Sequence, residues 1–371
     1  MSARDLHMKK HSSKKINVCL VSPLPPPYGG ISHWTQMVAN HASKMDDVNL
    51  VVVDIAPKWR SIHNTGLLIR SIGGAIQLII NIFELIKSLI SNRIHVLHLT
   101  TPGHLAVVRD LVIAYITSIF GLKFIYHIRF GRIPIIAKAN SIEWRIIQKV
   151  MMKASSVIAI DQTTYSAIQR FTTDVNVILL PNCVNIPSPS TTTQNVSNRK
   201  TILFIGWVIP GKGISELIEA WSQMNSKNWT LDIIGPGDTK YQSHLLQKFK
   251  PNNVNFLGEL THANAMENME KCDIFVLPSH SEGFPNVLLE AMVRGRPIIA
   301  TDVGAIPEML ANNSGAVIKS KDVDALRNKI EQFISDPQLR KNIGETAYIK
   351  ALDLYTIDKV FNSYTQLWRS S

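Results

Sequence analysis

Two glutamates, Glu282 and Glu290, stand eight positions apart around a Gly283-Phe284-Pro285 step. A strand-like run, Ile274 to Leu277, leads into them, and Pro285 suits the first turn of a helix continuing through Leu289 to Val293. Glu282 then falls in the loop ahead of the helix and Glu290 in its second turn. The backbone N–H groups of Asn286, Val287 and Leu288 lack partners at such a start and face the crevice beyond the strand's carboxyl end, where open α/β sheets bind ligands. The pattern offers two carboxylates to sugar or ribose hydroxyls and a helix N-terminus to phosphate. Glutamates near helix starts also serve as caps or dipole partners, and spacing alone favours that plainer reading.

Other residues could join such chemistry. Phe204 to Gly213, FIGWVIPGKG, places Gly206 and Lys212 in a strand-turn-helix; by spacing alone Lys212 is a solvated lysine at a helix start. PPPYGGISHW sets Gly29 and Gly30 between the first strand and a helix beginning near Ile31. Glycines there allow close backbone approach to a phosphate or acceptor, although a Gly-Gly after prolines commonly marks a turn. His127 ends the strand KFIYHI and is followed by Arg129, Gly131 and Arg132. Histidine at a strand end is commonly a packed core residue. Asp322-Val-Asp324 has the form of a metal-binding pair, but ahead of Ala325-Leu326 it reads as a helix cap. No His/Cys/Asp cluster has metal-ligand spacing, and no metal is expected. Cys19, Cys183 and Cys272 are too scattered for a disulfide framework.

The elements that must position these residues alternate between short β-rich runs and helical patterns, the signature of parallel sheets with crossover helices. Strand candidates in the first half are Ile16 to Val21, Val48 to Ile55, Ile94 to Leu99, Lys123 to Ile128, Ser156 to Ile160 and Val175 to Leu180. In the second they are Thr201 to Ile205, Thr230 to Ile234, Val254 to Leu257, Ile274 to Leu277 and Pro297 to Ala300. Between the halves, PSPSTTTQNVSN reads as a linker. The fold class is therefore α/β with two doubly wound Rossmann-like domains: residues 1–186, with a basic tail over 1–15, a linker over 187–199, a second domain over 200–355, and a helix over 356–371 crossing back to the first domain.

The chain has 371 residues, 45% apolar and 18% charged, with net charge +11, which excludes collagenous, low-complexity and disordered classes. Residues 1–185 hold 20 Lys/Arg against 9 Asp/Glu, whereas residues 186–371 hold 19 of each. All the excess lies in the first half, which points to an anionic partner there: lipid headgroups, a phosphorylated substrate or nucleic acid. The scattered basic residues, with few aromatics between them, argue against nucleic acid. From Leu67 to Ile90 a helix carries polar residues in one stripe and Ile, Leu or Phe almost everywhere else, as expected of a buried core helix or of one lying on a membrane or partner. The apolar uncharged stretches Ser71 to Phe83 and Leu111 to Leu122 are 13 and 12 residues, short of the ~20 that span a bilayer. A cytoplasmic protein, peripheral at the inner face of the plasma membrane, is expected.

The stretch from Cys272 to Leu310 resembles the signature of glycosyltransferase family 4, retaining nucleotide-sugar transferases of the GT-B architecture, in which two Rossmann-like domains face each other across a cleft. The residues carrying the resemblance are Glu282, Gly283, Phe284, Pro285 and Glu290, then Gly295, Pro297, Ile299, Thr301, Asp302, Gly304, Pro307 and Glu308. Two positions depart from the family: Ala305 replaces its second glycine, and Trp207 stands where an arginine is usual. The resemblance implies that Glu290 holds the donor's ribose hydroxyls, that Glu282 and the amides from Gly283 to Leu288 contact the donor sugar, and that Lys212 beside Gly206 grips the pyrophosphate. It also implies that Gly29 and Gly30 face the donor phosphates and that His127 reaches the donor sugar. Arg129 and Arg132 have no family counterpart and are expected to bind acceptor phosphate or to replace the cation missing at Trp207. Leu179 to Asn185, LLPNCVN, resembles the family's hinge.

The implied activity is transfer of a hexosyl group, with retention and without metal or other cofactor, from a UDP- or GDP-type sugar to a glycan or lipid-linked acceptor in bacterial surface polysaccharide synthesis. Leaving-group charge falls to Lys212, helix N-termini and Arg129, with Glu282 and His127 at the sugar. The alternative is a non-catalytic protein on the same scaffold that binds a nucleotide sugar or a membrane surface.

Overall fold

Val- and Ile-rich runs with both faces covered assemble into two all-parallel sheets, as continuous apolar strands must. The computed structural model describes residues 15–26, 29–56, 67–187, 200–225 and 228–370. In the first sheet, β1 (Ile16–Ser22), β2 (Val48–Asp54), β3 (Val96–Thr101), β4 (Lys123–Ile128), β5 (Ser156–Ala159) and β6 (Val177–Leu179) lie in the order β2-β1-β3-β4-β5-β6. In the second, β7 (Lys200–Ile205), β8 (Trp229–Ile234), β9 (Val254–Gly258), β10 (Ile274–Leu277), β11 (Ile298–Thr301) and β12 (Ala316–Ile318) lie in the order β12-β11-β10-β7-β8-β9. Both match the α/β class read from the alternating pattern. The strand order of the second sheet reverses between β7 and β10, a switch point of the kind at which open α/β sheets bind ligands with the loops that follow the two strands. Those are the Gly206 to Gly213 turn and the Glu282 loop.

The expected basic tail, apart from Lys15, and the expected linker, apart from Pro187, lie outside the described residues. The final helix, Ile357–Arg369, packs on the first sheet, where Phe361, Tyr364 and Trp368 share a buried cluster with Ile16, Val18, Leu20 and Trp34. A parallel bridge between Val184 and Thr356 ties the stretch after β6 to the start of that helix.

The Leu67–Ser91 helix sits against β1 and β2 in an inverted sense. Gln77 and Asn81 face inward and bond to each other at 2.8 Å, while Ile79, Phe83 and Ile90 are 67%, 69% and 73% exposed. Leu85 and Leu89 complete the buried side. A helix normally turns its apolar stripe to the core; here apolar residues occupy both sides, and the inward Gln77–Asn81 bond leaves the Gln77 side-chain oxygen buried without a partner. Among the described residues, no helix is long and apolar enough to cross a membrane.

Candidate functional site

The glutamate loop is held by glycines that admit close backbone packing. Gly304, at φ +56°, lies where a Cβ would come 2.4 Å from the Glu282 carbonyl oxygen, and the N–H of Ala305 donates to Gly283 O at 2.8 Å. Gly213, at φ +71°, closes the Pro210–Lys212 turn, and a Cβ there would come 2.0 Å from Pro278 O. This contact brings the two switch-point loops together. Lys212 Nζ consequently donates to Glu282 Oε1 at 2.6 Å, and Ser279 Oγ donates to the same oxygen at 2.7 Å. Both partners are largely buried, at 25% and 12% side-chain exposure, so the pair is stronger than a surface ion pair. Gly206 ends β7 packed beneath Gly235, and Trp207 beside it is 42% exposed, with no cation replacing the family's arginine at that position.

Pro285 caps the Asn286–Met292 helix. Three amides were expected to be free at its start. Leu288 N–H instead donates to Pro285 O at 3.1 Å, because the first turn closes tightly, leaving Asn286 and Val287. Phe284 and Leu288 are buried in the second domain's core, so only their backbone can border a ligand. Glu290, in the second turn, is 8% exposed and accepts from His262 Nε2 at 2.8 Å.

The first domain meets this site directly. Gly29 caps the Gly30–Ala42 helix, its N–H donating to Ser32 Oγ at 2.9 Å. Gly30 O accepts from Asn286 Nδ2 at 2.8 Å, and Asn286 Oδ1 accepts from Asn182 Nδ2 at 2.8 Å. The same Asn182 nitrogen also donates to Phe284 O at 2.8 Å. Gly131 stands where a Cβ would come 2.4 Å from Glu282 O. His33, on the Gly30–Ala42 helix, points Nε2 at Glu290 Oε1 across 3.7 Å, and its ring lies 4.2 Å from that of His262. The domains are thus closed on each other at the glutamates. Sequence reasoning missed Asn182, Ser279, His33 and His262. His33 was findable as the residue one helical turn past Gly29; the others needed the fold.

Three residues expected at the site are placed elsewhere. His127 is fully buried, stacked on His98 and edge-on to Trp34. Trp368 Nε1 donates to His98 Nδ1 at 3.2 Å, so His98 must offer its Nε2–H to His127 Nδ1, 3.1 Å away. Burial, with Arg129 and His98 adding to it, holds His127 well below the ordinary 6.5. The inward face of β4 and the returning C-terminal helix enclose it. Arg129 is also buried, its guanidinium 4.1 Å over the Trp34 ring, and burial lowers its pKa to about 10. Among the described residues no carboxylate pairs with it. Arg132 is engaged differently: it makes a two-pronged bond to Glu143, at 2.9 and 3.2 Å, that braces the Ile142–Met151 helix, so its fork is not free for an acceptor. Asp322 accepts from Ala325 N at 2.9 Å, and the Asp-Val-Asp triplet is a helix cap.

Comparison with known proteins places these features in context. Residues 191–350 match the family model described as glycosyl transferases group 1. An N,N'-diacetylbacillosaminyl-diphospho-undecaprenol alpha-1,3-N-acetylgalactosaminyltransferase of Campylobacter jejuni is 30% identical over 47% of this chain and 46% of its own length. A capsular polysaccharide biosynthesis glycosyltransferase of Staphylococcus aureus is 26% identical over 58% and 56%. The chain spans about half the length of the curated relatives it matches. Among solved structures, sucrose-phosphate synthase from Thermosynechococcus elongatus superposes with TM-score 0.77 at 18% identity, covering 96% of this chain and 98% of that one. The HepE protein of Anabaena, solved with UDP-glucose, superposes with TM-score 0.71 at 18% identity over 95% and 99%. The two facing sheets are the GT-B fold, and the chain's second half, which carries both glutamates and Lys212, matches the glycosyl transferases group 1 family model.

Proposed function

We propose that the protein transfers a sugar, with retention, from a nucleoside diphosphate to a glycan or lipid-linked acceptor in the assembly of a bacterial surface polysaccharide. One observation carries this reading: Glu282, Lys212 and Glu290 converge at the switch point of the second sheet, facing the Gly29-Gly30 turn of the first. The relatives named for lipid-linked and capsular products support the acceptor class. Glu290 holds the ribose, and the Glu282 loop with the amides of Asn286 and Val287 borders the sugar. Lys212 leaves its ion pair to meet the pyrophosphate, where it offsets the charge growing on the leaving group. Arg132 and His127 act only through the packing around them.

A donor enters only when the domains part, which breaks the Asn286 to Gly30 and His33 to Glu290 contacts; closure then expels water from the reacting bond. The exposed apolar side of the Leu67–Ser91 helix, in the domain holding the excess basic charge, provides a contact to an anionic membrane that presents a lipid-linked acceptor.

The test is nucleotide release from a panel of UDP- and GDP-sugars, with and without polyprenyl-diphosphate acceptors, in wild type and Glu290→Gln. Wild type should turn over one donor, and the variant should lose about 10- to 100-fold in kcat/KM through the missing charged hydrogen bonds. Turnover should persist in EDTA. Equal activity of wild type and variant would reject the ribose role. Binding without release across the panel would favour the non-catalytic reading, which the exposed Trp207 keeps in view.

A further inference from the structure

His33, His262 and Glu290 lie on three separate elements from both domains, and their nitrogen and oxygen ligand atoms all fall within 4.8 Å of one another. Helix starts fix both histidines. His33 N–H donates to Gly29 O at 2.9 Å in the first turn of its helix, and His262 follows Thr261, whose hydroxyl caps the next helix by accepting from Asn264 N at 3.3 Å. His262 Nε2 sits 2.8 Å and His33 Nε2 sits 3.7 Å from the same oxygen, Glu290 Oε1. The second distance is too long for a hydrogen bond. An imidazole nitrogen is thereby turned toward a carboxylate oxygen beyond hydrogen-bond reach.

We propose that these three side chains bind a borderline divalent cation of the zinc type, one that bridges the two domains. Zinc bonds of about 2.0–2.2 Å in tetrahedral geometry place ligand atoms roughly 3.3–3.6 Å apart. The observed 2.8 and 3.7 Å bracket that range, so small side-chain rotations suffice. Two imidazoles and one carboxylate select zinc, cobalt or nickel over magnesium and calcium, which prefer oxygen alone. Three protein ligands leave a fourth position for water. At 32% and 43% side-chain exposure, His33 and His262 leave a route for the ion. The bound ion holds the domains shut and occupies the carboxylate assigned above to the donor's ribose, so metal and donor exclude each other. That consequence rests on the reading of Glu290 in the proposed function; the binding itself does not.

Metal-stripped full-length protein is dialysed against Zn2+, and Co2+ absorption reports the ligand geometry. Wild type should retain one more equivalent of zinc than His33→Ala or His262→Ala, each checked for unchanged thermal unfolding, and only wild type should show the intense visible bands of tetrahedral Co2+. Comparison with the variants cancels zinc held by other histidines. Equal zinc and equal spectra in all three proteins would overturn the site. In a second arm UDP and GDP are titrated at fixed free Zn2+. Nucleotide affinity should fall at least tenfold in wild type and not in His33→Ala. Undiminished affinity with zinc bound would overturn the exclusion and the ribose role of Glu290 together, leaving the metal site intact.

Discussion

The most consequential contact in the molecule is the pairing of Lys212 with Glu282, because it joins the proposed leaving-group cation to the proposed sugar-side carboxylate at 2.6 Å. Each would be costly to leave alone in a site this buried, so the pair keeps both ordered until a donor exchanges pyrophosphate for carboxylate as the partner of Lys212. Lys212→Met should lower kcat by about 10²- to 10³-fold while Glu282 keeps its bond from Ser279; rapid-quench turnover with the best donor checks this. Arginine at that position should restore little, because a planar fork does not fit the space of a compact ammonium. At the same scale, the Trp368 to His98 to His127 chain shows why a histidine ending a strand need not be a catalyst. Each ring nitrogen in that chain with a fixed role is already bound to a neighbour inside the core.

Single elements decide how these residues meet. The Pro210–Lys212 turn carries Lys212 inward only because Gly213 can adopt φ +71° and press against Pro278. The Leu67–Ser91 helix is the other telling element, with Ile79, Phe83 and Ile90 outward and Gln77 bonded to Asn81 inward. Ile79→Glu with Phe83→Glu should abolish sedimentation with vesicles containing anionic lipid. Because both side chains are mostly in solvent, stability should move by no more than about 0.5 kcal/mol. Vesicle binding unchanged from wild type would remove the membrane role from this helix.

At the scale of the whole molecule, the C-terminal helix makes the two domains depend on each other. It starts at the second domain and buries Phe361, Tyr364 and Trp368 against the first, closing His98 and His127 beneath it. Burial lowers His98 to about 3 in the fold, whereas an unfolded chain protonates it near 6.5. Above pH 6.5 the residue is neutral in both states and contributes no pH dependence. Below that value only the unfolded chain gains the proton, so stability falls as pH drops toward 3. His98 alone should contribute about 2 kcal/mol of loss between pH 7 and pH 5, with His127 acting in the same direction. Urea unfolding at the two pH values measures the slope, and His98→Gln should flatten it.

The class of fold and the strand-turn-helix that carries Glu282 and Glu290 were legible because both are local. Parallel strands buried on two faces read as apolar runs wherever they occur, and the Glu282-to-Glu308 pattern encodes a strand, a turn and a helix start in one continuous stretch. The three-residue strand Ala316–Ile318 escaped notice because so short a run carries no period. What the chain order could not disclose was which groups face each other across the sheets. Arg132 pairs with Glu143, and His127 is sealed by a helix more than 200 residues later; such contacts follow from long-range packing, which no window of sequence contains. The meeting of His33, His262 and Glu290 is of the same kind. It exists only because two domains, each folded by its own local rules, come to rest against one another.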